Sequence, residues 1–271
     1  MTAVHKQRIG FIGLGSQGAP MAHRIIDAGM DLTVWARRAE VLAPYQAKGA
    51  ATAASVIDLA QMCDHVGVCV VNDSDVDAMC ADLIPFMKRG SRIAIHSTIL
   101  PESCETLERK AAAHGIGLID APVSGGQPAA EAGTLTVMCG GAAAVFEACR
   151  PVFATFGSMI VRLGGIGAGQ RAKIVNNAML SAHLGIAGAA LSVADELGID
   201  RAALAELIKA SSGRSYGFEI AARMPSPAAF AHGATMLDKD MRLLQAILPR
   251  SAGAAALDAA SNQFLAAALR G

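Results

Sequence analysis

The chain has 271 residues, 53% hydrophobic and 17% charged, which is long enough for one large domain or two smaller ones with real cores. Lys plus Arg and Asp plus Glu both number 23, so the formal charge is zero, and no basic field argues for nucleic acid or an anionic membrane as a partner. The six cysteines (Cys63, Cys69, Cys80, Cys104, Cys139 and Cys149) form no C-x-x-C pair and read as reduced core thiols.

From Arg8 to about Leu163, short apolar and β-branched runs alternate with helical patterns: "RIGFIG", "DLTVW", "HVGVCVV", "RIAIHS", "GLIDAPV", "LTVMCGG" and "SMIVRL". That alternation predicts a parallel sheet wound with helices. The first run continues as "RIGFIGLGSQG", which sets Gly13, Gly15 and Gly18 in G-x-G-x-x-G spacing between a strand and the helix "APMAHRIIDAG". Glycines there allow a tight turn and close backbone approach, so a pyrophosphate can rest on the helix start. The loop Gly13, Leu14, Gly15, Ser16, Gln17 and Gly18 is therefore assigned to a dinucleotide. About 20 residues later, where NAD-binding units place an acid for the ribose 2′-hydroxyl, the chain reads "VWARR". Ala36 replaces the acid, and Arg37 and Arg38 offer guanidinium groups to a 2′-phosphate, which favours NADP(H) with NAD(H) still possible. The alternative for these arginines is the start of a solvated helix.

Further on, "DAPVSGG" ends a strand with Ser124, Gly125 and Gly126, a hydroxyl and two unhindered amides able to donate to one carboxylate, or else an ordinary strand-end turn. After "GGIGAG" the strand pattern stops. The rest is alanine-rich and helical, with turn signals at "GID" near Gly198 and at "MPSP". The expected organisation is α/β, a nucleotide-binding domain over 1–163 followed by an all-α domain over 164–271, with a connecting helix from about Gly167 to Leu197. Within that helix Lys173, Asn176 and Asn177 share one face, ahead of a stretch without charge until Asp195. No apolar run is expected to span a membrane uninterrupted, and the amino terminus shows no long apolar run after its basic residues, so a cytoplasmic location is expected. His5, His23, His65, His96, His114, His183 and His232 are scattered without ligand spacing, and no metal is expected.

Four patches together resemble the β-hydroxyacid dehydrogenase family, which includes 3-hydroxyisobutyrate, tartronate semialdehyde and 6-phosphogluconate reductases and dehydrogenases. They are "GFIGLGSQG", "DAPVSGG...AGTL", "GAGQRAKIVNN" and "DKDMRLL", and the likeness covers nearly the whole chain. It implies an N-terminal Rossmann domain and an all-α C-terminal domain, with hydride exchange between NADP(H) and a small β-hydroxy acid or its semialdehyde or oxo acid. The resemblance makes Lys173 the catalytic acid/base and Asn177 its partner in orienting substrate, with Ser124, Gly125 and Gly126 as carboxylate clamp. It places Lys239 near the nicotinamide ribose and Val71 and Thr98 along the cofactor, and Asp240 reads as structural support for its helix. Gln17 stands where the family usually has methionine, Tyr216 where many members have tryptophan, and the C-terminal end is shorter than usual.

In physical terms, a lysine in the first turns of a helix faces the positive end of the dipole, and apolar neighbours and cofactor would desolvate it further. Brought to roughly 7–8, such a lysine can take a hydroxyl proton and return it in the reductive direction. The rival readings are an imine reductase-like NADPH enzyme, whose members usually lack this lysine, and a non-catalytic NADPH-binding protein. A homodimer or homotetramer is expected, because the apolar helix after Asn177 and "AGAAALDAASNQFLAAAL" offer more apolar surface than a small domain buries alone.

Overall fold

The computed structural model describes residues 7–270 and divides them into two compact units, which meet between Lys173 and Ile174. In the first unit the chain runs β1 (Arg8–Ile12), α1 (Gly18–Asp27), β2 (Asp31–Trp35), α2 (Ala43–Ala47), β3 (Ala51–Thr52), α3 (Val56–Met62) and β4 (His65–Val68). It continues through α4 (Asp73–Leu83), β5 (Arg92–Ile95), α5 (Pro101–Ala113), β6 (Gly117–Asp120), β7 (Val123–Ser124), α6 (Gly126–Ala132), β8 (Leu135–Gly140), α7 (Ala143–Phe153) and β9 (Gly157–Gly164). Among the described residues these nine strands form one sheet, in which β3-β2-β1-β4-β5-β6 are neighbours and all parallel. That is the order of a dinucleotide-binding sheet, whose crevice opens where the chain order reverses between β1 and β4. The seven expected runs are all strands. The sheet is not wholly parallel, however, because β8 runs antiparallel to β6 and to the two-residue β7, and β9 then pairs parallel to β8. A strand as short as β7, or as β3, carries no readable alternation, which is why pattern alone does not find it.

The central strands bury both faces, as parallel strands covered by helices must. On β5, Ile93 and Ile95 join Leu59, Leu83 and Leu107 in one layer, while the intervening Ala94 faces the opposite layer of Phe11, Ile25, Phe153 and Phe156. Two buried histidines sit in this core: His65, which opens β4, and His96, which follows β5 and whose ring lies edge-on to Phe153 and Phe156.

Helix α8 (Ala168–Glu196) begins in the first unit and continues into the second, followed by α9 (Arg201–Lys209), α10 (Tyr216–Arg223), α11 (Ala231–Ile247) and α12 (Ala252–Arg270). The expected turns are in place: Gly198 takes the left-handed conformation at φ 68°, Asp200 caps α9 by accepting the N–H of Ala203, and α10 stops before Pro225. Ile174, Ala178, Leu184, Ala187 and Leu191 recur at helical spacing on α8 and pack with Phe218, Leu237, Met241 and Phe264. By length and composition α8 could cross a membrane, which corrects the expectation that no run is long enough. One face of it, the Ile174 to Leu191 ladder, is buried in the second unit, while Val175, Met179, Ile186 and Val193 on the same helix are exposed.

Candidate active site

The glycine loop shows why each glycine stands where it does. Gly13 has φ 96°, and a Cβ there would lie 2.0 Å from the carbonyl oxygen of Cys69. A Cβ at Gly18 would meet the Gly13 carbonyl oxygen at 1.9 Å, so the start of α1 closes directly on the turn. Gly15 has nothing within 4 Å, the open approach that a pyrophosphate needs. A cleft of about 310 Å³ opens here, lined by Gly13, Leu14 and Gly15 on one side and by Arg37, Arg38 and Val71 on another. A tight turn, an unobstructed glycine and guanidinium groups at the far end fit the backbone of a nicotinamide dinucleotide. Ser16, Gln17 and Gly18 continue the loop into α1.

The two arginines differ. Arg37 pairs with Asp75 of α4 at 2.5 Å, whereas Arg38 has no ion pair among the described residues. Position 36 is alanine at the edge of the same cleft.

On the other side of the glycine loop, Gln17 Nε2 donates to the Gly126 carbonyl at 3.4 Å. Gln17 thus links the glycine loop to the Ser124–Gly126 turn. Gly125 and Gly126 have φ 132° and 69°, and a Cβ at Gly125 would lie 2.5 Å from that of Ala129. The turn therefore needs both glycines, and the first N–H groups of α6 lie outside the helix ladder.

The start of α8 is held by residues that sequence reading did not single out. Buried Asp120, at the end of β6, accepts the backbone N–H of Gly167 at 2.7 Å and of Gln170 at 2.8 Å. Burial pushes its carboxyl up to about 6, against the downward pull of those N–H groups. Fully buried Gln170 donates through Nε2 to the Ser97 carbonyl at 2.8 Å and accepts the N–H of Ile99 through Oε1 at 3.1 Å. Those bonds flank Thr98, which is half-buried. The turn that precedes Lys173 is thereby fixed to the carboxyl ends of β5 and β6, the edge at which α/β sheets bind ligands. Lys173 itself is half-buried. The helix end expected to act on Lys173 carries the Asp120 carboxylate, which accepts two of its N–H groups. Only the "D" opening "DAPVSGG" hinted at this contact, which spans 47 residues of chain.

In the second unit Asn177 is 7% exposed, and its Nδ2 donates to Asp240 Oδ2 of α11. Its Oδ1 accepts from Asn176 Nδ2 at 3.1 Å. Asp240 therefore orients an α8 side chain as well as belonging to its own helix, and Lys239 Nζ lies 3.5 Å from Asp240 Oδ1.

Two family models together match nearly the whole chain. The family model described as the NAD binding domain of 6-phosphogluconate dehydrogenase matches residues 8–165, and that described as NAD-binding of NADP-dependent 3-hydroxyisobutyrate dehydrogenase matches residues 167–271. The mitochondrial 3-hydroxyisobutyrate dehydrogenase of Drosophila melanogaster is 38% identical over 79% of this chain and 66% of its own length. The NAD-dependent L-serine dehydrogenase of Pseudomonas aeruginosa is also 38% identical, over 79% of this chain and 73% of its own. Among solved structures, Mycobacterium tuberculosis 3-hydroxyisobutyrate dehydrogenase with L-serine is similar with a TM-score of 0.84 at 26% identity, over 95% of this chain and 92% of that one.

Proposed function

From the premise that this chain belongs to the 3-hydroxyisobutyrate dehydrogenase-like β-hydroxyacid dehydrogenases, we propose that it is an NADP(H)-preferring oxidoreductase acting on a small β-hydroxy acid or its semialdehyde. The cofactor would be held by the Gly13–Gly18 loop, with Arg38 and Arg37 at its adenosine end and Val71 lining the same cleft, and the family resemblance adds Thr98 and Lys239. When bound, the nicotinamide accepts or supplies a hydride. Lys173 takes the hydroxyl proton in oxidation and returns it to the carbonyl oxygen in reduction. Asn177, oriented by Asp240, retains one Nδ2 hydrogen for a substrate oxygen and adds no competing charge. Ser124 and the amides of Gly125 and Gly126 hold the substrate carboxylate.

The observation that carries this reading is the anchoring of the first turn of α8 by Asp120 and Gln170, which fixes the backbone before Lys173 at the ligand-binding edge of the sheet. A catalytic lysine needs such a fixed base, since displacement by about 1 Å costs on the order of 10²-fold in rate. The test is NADPH oxidation with a panel of small aldehydes and oxo acids, beside their methyl esters and a cyclic imine. Wild type is expected to prefer the acids, and Lys173→Met to lose on the order of 10²–10⁴ in kcat with NADPH affinity unchanged. Equal turnover of the imine, or an unaltered kcat in the variant, overturns the reading.

The proposal includes a cytoplasmic homodimer or homotetramer. On α8, Val175, Met179, Ile186 and Val193 are each half exposed or more and spaced by four, seven and seven residues, an apolar stripe of the kind that a second copy covers. Light scattering at micromolar concentration that shows only monomer contradicts it.

A further inference from the structure

Asp75 stands in the first turn of α4, 38 residues from Arg37 in sequence, yet it lines the same cleft as Ala36, Arg37 and Arg38. Its backbone N–H bonds to Asn72 Oδ1 at 2.9 Å, which fixes the turn, and its side chain is only 20% exposed against 65% for Arg37. Its Oδ1 takes Arg37 at 2.5 Å. The end of β2, where a carboxylate would meet the ribose 2′-hydroxyl, has alanine.

Resting on the cofactor reading above, we propose that Asp75 supplies from α4 the carboxylate that β2 lacks, and that it sets how strongly the cleft discriminates between the two nicotinamide cofactors. A carboxylate accepts hydrogen bonds and donates none, so it suits a 2′-hydroxyl and repels a 2′-phosphate. It also engages Arg37, which leaves Arg38 as the guanidinium that grips a phosphate without first breaking an ion pair. Two arginines and one acid give the adenosine end a single net positive charge. Such a cleft takes NADP(H) by preference and still binds NAD(H), whereas the same cleft without the Asp75 charge would discriminate more sharply.

The experiment is titration of the protein with NADP⁺ and with NAD⁺ by calorimetry, for wild type and Asp75→Asn. Asparagine still accepts a hydrogen bond from Arg37 through its carbonyl oxygen, so the substitution removes the charge and keeps the contact. NADP⁺ is expected to bind threefold to tenfold more tightly to the variant and NAD⁺ more weakly, so that the ratio of dissociation constants changes by on the order of tenfold or more. The change should shrink as salt is raised from 0.05 to about 0.5 M, because partly exposed charges are screened. A ratio within twofold of wild type overturns the role of Asp75. A wild type that itself prefers NAD⁺ overturns the NADP(H) reading instead, while the shift in ratio between wild type and Asp75→Asn still decides the inference.

Discussion

The side-chain amide of Asn177 donates to the carboxylate of Asp240, joining α8 to α11 through two buried residues that lie 63 positions apart. With Asn176 on its carbonyl oxygen, the Asn177 amide is held at both ends. Asp240→Ala removes the acceptor and frees the amide to rotate. A hydrogen bond to a charged group contributes about 1.5–3 kcal/mol, so kcat/KM is expected to fall roughly tenfold to a hundredfold. The dissociation constant for NADPH should change less, through Lys239 alone, whose ammonium lies 3.5 Å from Asp240 Oδ1. Equal losses in both would reduce Asp240 to a purely structural residue, and steady-state kinetics beside a binding titration separate the two cases.

The carboxylate clamp is tested by one atom. Ser124→Ala deletes a hydroxyl from a turn whose backbone is already set by Gly125 and Gly126, so the fold should persist. KM for the acid substrate is expected to rise on the order of tenfold to a hundredfold, with a much smaller effect on its methyl ester. Comparison of both compounds on both proteins isolates the contact. Equal impairment of acid and ester would mean that Ser124 acts on something other than the carboxylate.

Arg38 and Arg37 should not be equivalent, since only Arg37 is already paired. Arg38→Leu is expected to raise KM for NADPH about tenfold or more, and Arg37→Leu to raise it less, with NADH little affected by either. Ala36→Asp combined with Arg38→Leu should move the preference toward NADH. Side-by-side kcat/KM values for the two cofactors check this, and indifference to both arginines would contradict the assignment of that end of the cleft.

Stability should decline in mild acid. Burial drives His65 down to about 3, helped by the nearby His96 and Arg92, and drives His96 down to about 4. Both ring nitrogens of His65 lack a hydrogen-bond partner among the described residues, while His96 donates through Nδ1 to the Ala121 carbonyl. Below about 6.5 the unfolded chain takes up protons at both sites that the native core refuses, so each histidine removes up to about 1.4 kcal/mol per pH unit as pH falls toward 4. Asp120 acts in the opposite direction. Its raised native value, about 6, means that the folded state gains a proton first between about 6 and 4, which returns up to about 1.4 kcal/mol per unit. The net expectation is a loss on the order of 1 kcal/mol per unit between pH 6 and 4, flattened in His65→Leu. Urea unfolding at pH 7 and pH 5 measures it, and equal midpoints for wild type at both values would contradict it.

What the amino-acid sequence determined by itself was whatever depends on neighbours within about one turn or one strand. The seven main strands, the glycine loop between β1 and α1, the turns at Gly198 and before Pro225 and the family motifs are all of this kind. The glycine spacing was legible because a backbone that must bend at Gly13 and pack at Gly18 leaves the mark of its own constraint at those positions. The tertiary structure alone decided which distant groups meet. Asp120 on Gly167 and Gln170, Asn177 on Asp240 and Arg37 on Asp75 join residues 38 to 63 apart. Nothing local distinguishes Asp75 from the solvated Asp77 on the same helix, or buried Asp120 from any acid that ends a strand. A side chain's partner is set by the path of the sheet, and it is the partner that separates a carboxylate that caps a helix from one that tunes a cofactor cleft.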